Sequence, residues 1–258
     1  MDKQDNQVFI QPFGLFLSLK SGILVLLLCL PFLSFSSEAI AASRPTTKPA
    51  SPTKGAKLIQ LSVRHAKQLQ QTIQKAKANT IIRLLAGTYT LSKGLQILRK
   101  RKLILEGVGK VIIHSKMPQE AVITIRHSTQ IIIKNIQAHH IFPSPKATSS
   151  KSIYNVHRAS KVWLYRSKSS GPTATGIRLY RSRDIIISKC ELQGHTSTAL
   201  FVHNGMDITI HNNRLLKNAK TLQAIGRNHI QMSQNTIQSR PQSPPQTAVF
   251  FSQKILGP

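Results

Sequence analysis

The chain has 258 residues, of which 36 are Lys or Arg and only 8 are Asp or Glu. A formal charge of +28 points to a partner of opposite sign, through steering and counterion release. Two cysteines, Cys29 and Cys190, exclude a disulfide framework and a Cys-rich zinc site. On charge alone the partner is nucleic acid, an anionic polysaccharide, an acidic membrane surface or an acidic protein.

The N-terminus reads as a targeting segment. Lys20 precedes an apolar run from Gly22 to Phe35, followed by polar Ser36, Ser37 and Glu38 and then Ala39-Ile40-Ala41, an A-x-A cleavage pattern. The run falls short of the roughly 20 apolar residues that a membrane span needs. Residues 1–41 are therefore expected to be a signal peptide, leaving the protein periplasmic or secreted. Retained uncleaved, the same segment would be a membrane anchor. Leu28 stands where a lipoprotein cysteine needs a small residue, so Cys29 is not expected to be lipidated.

Residues 42–60, rich in Pro, Thr, Ser and Lys, read as a flexible linker. Between Val63 and Ala78 the apolar residues Ala66, Leu69, Ile73 and Ala76 recur at three- and four-residue spacing, which predicts one short amphipathic helix ended near Asn79. From Thr80 the period changes to alternation. Ile81 to Leu84, Ala86 to Leu91, Gly94 to Ile97 and Lys102 to Gly107 read as short strands separated by glycine and charged turns.

The second half repeats. The segments beginning at Ser152, Gly176, Ala199 and Thr221 superpose, and the residue opening the second strand of each is Lys161, Asp184, Asp207 and His229, at intervals of 23, 23 and 22. An earlier copy marks at Gln130, 31 residues before Lys161, so an insertion is expected near Ala138 to Lys151. One strand of each copy supplies Ile123/Ile125, Tyr154/Val156, Ile177/Leu179, Leu200/Val202 and Leu222/Ala224. The next supplies Ile131/Ile133, Val162/Leu164, Ile185/Ile187, Ile208/Ile210 and Ile230/Met232. A period of two within a strand, nested in a constant longer period, makes every coil present the same faces in the same places, so the coils must stack. Cys190, Asn213 and Asn235 share one column, where an asparagine ladder would run along the axis. Propeller blades are longer, and the Leu/Asn consensus of leucine-rich repeats is absent.

With a helix, a strand and an A-G-T-Y turn in LQQTIQKAKANTIIRLLAGTYTL, Leu69 to Leu91, the chain resembles the pectate-lyase-like, right-handed parallel β-helix superfamily over Leu61 to Leu256. The Gly-Asp that usually precedes the first strand is replaced by Ala78-Asn79. The resemblance implies an all-β solenoid of about seven coils over residues 61–258, with a short N-terminal capping helix. It leaves the activity open among lyases, epimerases, hydrolases and non-catalytic envelope proteins, because one fold carries many functions.

The chemistry must come from the residues. Hydrolysis of a glycosidic bond needs two carboxylates, and beyond the leader the chain has only Glu106, Glu120, Asp184, Glu191 and Asp207. Asp184 and Asp207 share a column, but each precedes an I-x-I strand, where Asp serves as a turn residue. The calcium-dependent lyase chemistry implied by the resemblance needs a carboxylate cluster that this sequence lacks. A metal-independent lyase or epimerase acting on a uronic-acid polymer stays open, because stacked coils would bring His157, Tyr180 and His203 into one row as base and acid. Arg126, Arg158, Arg178 and Arg181 beside that row would neutralise a uronate carboxylate. The reading preferred on the sequence is that the row is a non-catalytic ladder that binds a polyanion without turning it over, with the lyase or epimerase as the alternative.

Trp163, at an outward strand position, is a candidate sugar-stacking residue or a lateral packing residue. His139-His140 are placed in the inserted loop, and two adjacent histidines with no Cys or Met nearby make a poor metal site. Cys190 reads as a ladder residue rather than a nucleophile. No cofactor and no metal are expected. No nucleic-acid reading module is recognisable and none is expected to bind. The partner expected is an acidic polysaccharide or another cell-envelope polyanion.

Overall fold

In a computed structural model the chain is described over residues 55–62, 65–141, 151–173 and 175–240; the expected signal peptide and most of the expected linker lie outside these residues. Among the described residues a single helix, α1 (Ala66–Lys75), is followed by a ladder of strands in which every pairing is parallel. The strands wind as a parallel β-helix of about seven coils. Each coil has three faces. The first is a six-stranded sheet of β3 (Leu95–Leu98), β5 (Ile123–Arg126), β7 (Ser152–His157), β10 (Thr175–Tyr180), β13 (Thr198–His203) and β16 (Leu222–Ile225).

The second and third faces belong to a larger sheet that bends. β2 (Thr80–Leu91), β4 (Arg101–Ser115) and β6 (Thr129–His140) run across both faces. Later coils divide that path into β8 (Ser160–Tyr165) and β9 (Lys168–Ser170), β11 (Arg183–Ser188) and β12 (Glu191–Gln193), β14 (Met206–His211) and β15 (Arg214–Asn218), and β17 (Ile230–Ser233) and β18 (Thr236–Ser239). The strands expected at Ile81–Leu84 and Ala86–Leu91 are thus one continuous strand. Its register shifts between Leu85 and Gly87, and Gly87 turns the corner at φ 140, a conformation that a residue with a Cβ rarely adopts.

Three further expectations change. The helix is shorter than Val63–Ala78, because Ala76 is already extended (ψ 125); Leu69 and Ile73 on its inner face are fully buried against the first coil. Asn79 is left-handed at φ 61 and redirects the chain into β2. The end of the expected linker is a strand, β1 (Lys57–Leu61), paired with β2. Its short Leu58-Ile59-Gln60-Leu61 run is enough to pair at an edge and to bury Leu61. Finally, β6 continues through Ala138 to His140, so the insertion begins after these residues rather than at Ala138. Ala138 is fully buried and pairs with Ser169, which ties this stretch into the third face.

The core is the stack of apolar columns expected from alternation. Ile123, Tyr154, Ile177 and Leu200 line one column, and Ile131, Val162, Ile185 and Ile208 another, all exposed by 2% or less. Each such side chain contributes about 1.5–3 kcal/mol by leaving water. The corners are made by residues with positive φ. Arg99, His127, Arg158, Arg181 and Asn204 turn from the first face toward the second at φ 47 to 52. Their amides still bond to the next coil, as Arg158 N–H to Tyr180 O (2.9 Å) and Arg181 N–H to His203 O (2.8 Å), so the left-handed backbone costs no hydrogen bond. Asp184 and Asp207 open β11 and β14 at φ 54, in the turn role read from sequence.

The asparagine column is a hydrogen-bonded ladder. Cys190 N–H donates to Asn213 Oδ1 (2.8 Å), Asn213 N–H donates to Asn235 Oδ1 (2.9 Å), and the amide nitrogens of Asn213 and Asn235 donate to Ile187 O and Ile210 O (2.9 Å each). A second ladder was not foreseen. His195 is fully buried, holding Ser169 Oγ (2.9 Å) and Thr173 Oγ1 (3.0 Å) with its ring nitrogens, while its backbone N–H donates to Asn218 Oδ1 (3.0 Å). The ring fits because residue 176 is glycine: a Cβ there would stand 2.8 Å from His195 Nε2 and 2.6 Å from Ala199 O.

Candidate functional site

On the first face, alternation turns every second side chain outward. The parallel register places Arg126 beside His157, His157 beside Tyr180 and Tyr180 beside His203. The four form one row along the solenoid. The His157 and Tyr180 rings are parallel within 4° at a centroid distance of 4.9 Å, and Tyr180 and His203 are 4.7 Å apart, tilted by 55°. His127, at the corner, meets the edge of His157 at 5.9 Å. The row read from sequence is therefore a continuous ring ladder.

Cationic groups border it. Arg126 Nε donates to His157 Nδ1 at 3.4 Å. The Arg181 guanidinium lies 5.3 Å from the Tyr180 ring centre, and that of Arg178 lies 5.2 Å from the Phe201 ring in the neighbouring outward column. Arg158 projects from the left-handed corner between His127 and Arg181. Burial, and then the charges of Arg126, Arg158, His127 and Arg178, hold the His157 imidazole below its ordinary pKa. At neutral pH it is uncharged, with Nδ1 as acceptor and its proton on Nε2.

Four of the five described carboxylates are engaged elsewhere. Glu106 is gripped by Arg83 Nε (2.6 Å) and Lys134 Nζ (2.5 Å). Glu191 lies between Lys168 and Arg214, and Asp207 accepts from His229 Nδ1 at 2.8 Å. Asp184 opens a strand of the second face, and Glu120 accepts from the Gly94 amide. The ladder thus displays rings and guanidinium groups with no acid among them.

Trp163 is not part of this row. It stands on β8 of the second face, outward and half-buried between Ile132 and Ile186 of the adjacent strands, in a lateral apolar stripe. The Cys190 thiol is buried, its pKa pushed up to about 12 by burial, and its one S–H has Leu164 O and Ser188 O within reach as acceptors. A thiol so held is a ladder rung and a poor nucleophile.

His139 has a partner that sequence reading missed. It pairs across strands with His114, Nε2 facing Nε2, their ring centres 4.1 Å apart. The signal was a separation of 25 residues, one coil, between two histidines. His140 turns inward beside Ser115 and is buried. Among the described residues no group of three or more His, Cys, Asp or Glu converges as a metal site, and no helix is long and apolar enough to cross a membrane.

Comparison with known proteins agrees with this geometry. A family model described as a right handed beta helix region matches residues 105–248. The chain is similar in structure to the ORF18 protein of Geobacillus virus E2, with a TM-score of 0.56 at 12% identity over 69% of this chain and 41% of the viral one. It thus spans less than half of the viral protein. It is also similar to a candidate glycosyl hydrolase from Parabacteroides merdae, with a TM-score of 0.53 at 10% identity over 69% of this chain and 97% of that one. A pectate lyase variant from Xanthomonas campestris superposes with a TM-score of 0.48 at 13% identity, over 72% of this chain and 65% of the lyase. At such identities the likeness is one of fold. No curated protein matches the sequence.

Proposed function

Because the chain belongs to the right-handed β-helix family, we propose that it works as members of that fold can, by holding a polymer along a strand face: here an acidic polysaccharide or similar cell-envelope polyanion. The observation that carries this reading is the row Arg126, His157, Tyr180, His203, flanked by Arg158, Arg178 and Arg181 and free of carboxylates. The rings stack on one another along the solenoid and turn their polar edges outward, and the guanidinium groups offer planar, charge-assisted hydrogen bonds to carboxylate or sulfate. The stretch Gly22 to Ala41 supports export, with cleavage leaving a chain that begins near Ala42 in the periplasm or outside the cell. Changing Arg158, Arg178 and Arg181 together to Ser should abolish most salt-sensitive binding to acidic glycans while preserving the fold, since all three project outward. Undiminished binding at low salt would refute the assignment.

A second reading follows from the neutral, stacked His157. An uncharged imidazole against a phenol and several guanidinium groups is a base, an acid and a carboxylate neutraliser, the parts of a metal-independent β-elimination or epimerisation on a uronic-acid polymer. His157→Ala or His203→Ala separates the two. A binding protein loses some affinity, whereas a lyase loses formation of its unsaturated product altogether.

A further inference from the structure

We propose that His114 and His139 form a binding site for a borderline divalent transition ion, on the third face and apart from the ring ladder.

The placement starts from register. β4 and β6 are adjacent parallel strands, and after their shared bend they pair Ile113 with Ala138, His114 with His139 and Ser115 with His140. Ile113 and Ala138 are fully buried and Ser115 and His140 face the interior, so alternation turns His114 and His139 outward side by side. Their ring centres are 4.1 Å apart and their planes are inclined by 55°. The two Nε2 atoms face one another.

Two imidazole nitrogens aimed at a common point share either a proton or a cation. In the first case one ring carries its hydrogen on Nε2 and donates to the bare Nε2 of the other. In the second case both hydrogens sit on Nδ1, and both lone pairs of Nε2 meet on one ion. The two arrangements differ by a tautomer change in one ring, without net loss of a proton. Partial burial of both rings favours the unprotonated imidazole that a metal requires.

The strands fix both backbones, so only side-chain rotation is needed to admit the ion. Thr90 of β2 is the registered neighbour of His114 on the other side, and water fills the remaining positions. Two imidazoles with oxygen donors suit Cu2+ best and Zn2+ less well, following the general affinity order of these ions. The excess positive charge of the chain opposes cations at long range. Salt screens it beyond about 8–10 Å, and the pair itself is uncharged.

The test is titration of the purified protein with Cu2+ and, separately, Zn2+, read by calorimetry and by electron paramagnetic resonance of the copper form. The expected result is a first equivalent of Cu2+ whose spectrum shows coupling to two imidazole nitrogens. It should be lost in His114→Gln and in His139→Gln and kept in His211→Gln. Nitrogen-15 spectra of the unsubstituted protein supply a reading that needs no variant: Zn2+ should shift the Nε2 resonances of two histidines together. Retention of the first copper equivalent in both Gln variants, or absence of any two-nitrogen signature in the parent, would overturn the site and leave a simple N–H···N bond.

Discussion

His157 and Tyr180 stand on adjacent strands of the first face with their rings parallel within 4° and their centres 4.9 Å apart. The stack exists because two consecutive coils place outward residues in strict register, and it continues to His203 at 4.7 Å. On the function proposed above, a ridge of this kind would meet a linear polymer along its length rather than at one pocket.

Binding through this ridge should strengthen as pH falls. The pKa of His157 lies below 6.5, through burial and then its cationic neighbours, so it is neutral at pH 7 and gains charge as the solution becomes acidic. Uronate carboxylates stay ionised through this range. Affinity for an acidic glycan, measured at constant salt from pH 7 to 5, should rise, and His157→Gln should remove part of that rise. Identical pH profiles for parent and variant would exclude His157 from the contact.

Tyr180 is the hub of the row, touching His157, His203 and the Arg181 guanidinium. Tyr180→Ala should weaken glycan binding by roughly tenfold, the loss of a ring contact worth about 0.5–1.5 kcal/mol together with the order it imposes on its neighbours. Tyr180→Phe should retain the affinity of the parent in the binding role and abolish product formation in the catalytic one. Affinity and product assays on the two variants decide between them.

Glu106 is a buried carboxylate held between two cations, with Arg83 and Lys134 supplied by the coils on either side. Burial alone would raise its pKa, but the bonds from Lys134 and Arg83 outweigh burial and lower it. A lowered native pKa means stability that is present above the unfolded carboxylate range and is lost as pH falls through the native value. Glu106→Gln should cost about 1–3 kcal/mol at pH 7, by leaving two cations facing each other, and should flatten the acid limb of the stability curve. Urea unfolding at several pH values measures both.

The neutral, fully buried His195 acts in the same direction over a higher range. Burial pulls its pKa from 6.5 to about 4, so the unfolded chain binds a proton that the folded chain refuses. Stability from this residue is complete above pH 6.5 and drains away between pH 6.5 and about 4. His195→Gln should lose less stability than the parent on going from pH 7 to 5. Parallel loss in the two proteins would show that His195 is not the titrating group.

Asn213 joins three coils: its side chain accepts from Cys190 N–H and donates to Ile187 O of the preceding coil, and its own N–H donates to Asn235 Oδ1 of the next. Asn213→Ala orphans both buried backbone groups, at about 1–3 kcal/mol each, whereas Asn235→Ala, nearer the last coil, should cost less. Comparing the two denaturation midpoints tests whether the ladder is a structural element along the axis.

Most of the solenoid is written in short-range pattern. Alternation such as Ile208-Thr209-Ile210 and the spacing of Lys161, Asp184 and Asp207 specify which residues face inward and that coils stack, because a buried face repeated at a constant period has only one way to leave water. The row His157, Tyr180, His203 was legible for the same reason: residues at equal places in the repeat become neighbours. Where the period breaks, this logic fails. The interval of 31 before Lys161 hid the extent of β6, and Leu58 to Leu61 was too short a run to mark a strand within polar surroundings. Trp163 and the ring ladder could not be separated without knowing how sharply each coil turns, and that is set by left-handed corners at Arg158, Arg181 and their equivalents, residues with no glycine-like signature. His114 and His139 meet for a reason that no local pattern holds. Two long strands bend together at shifts of register, and only the pairing of those strands determines which histidine faces which.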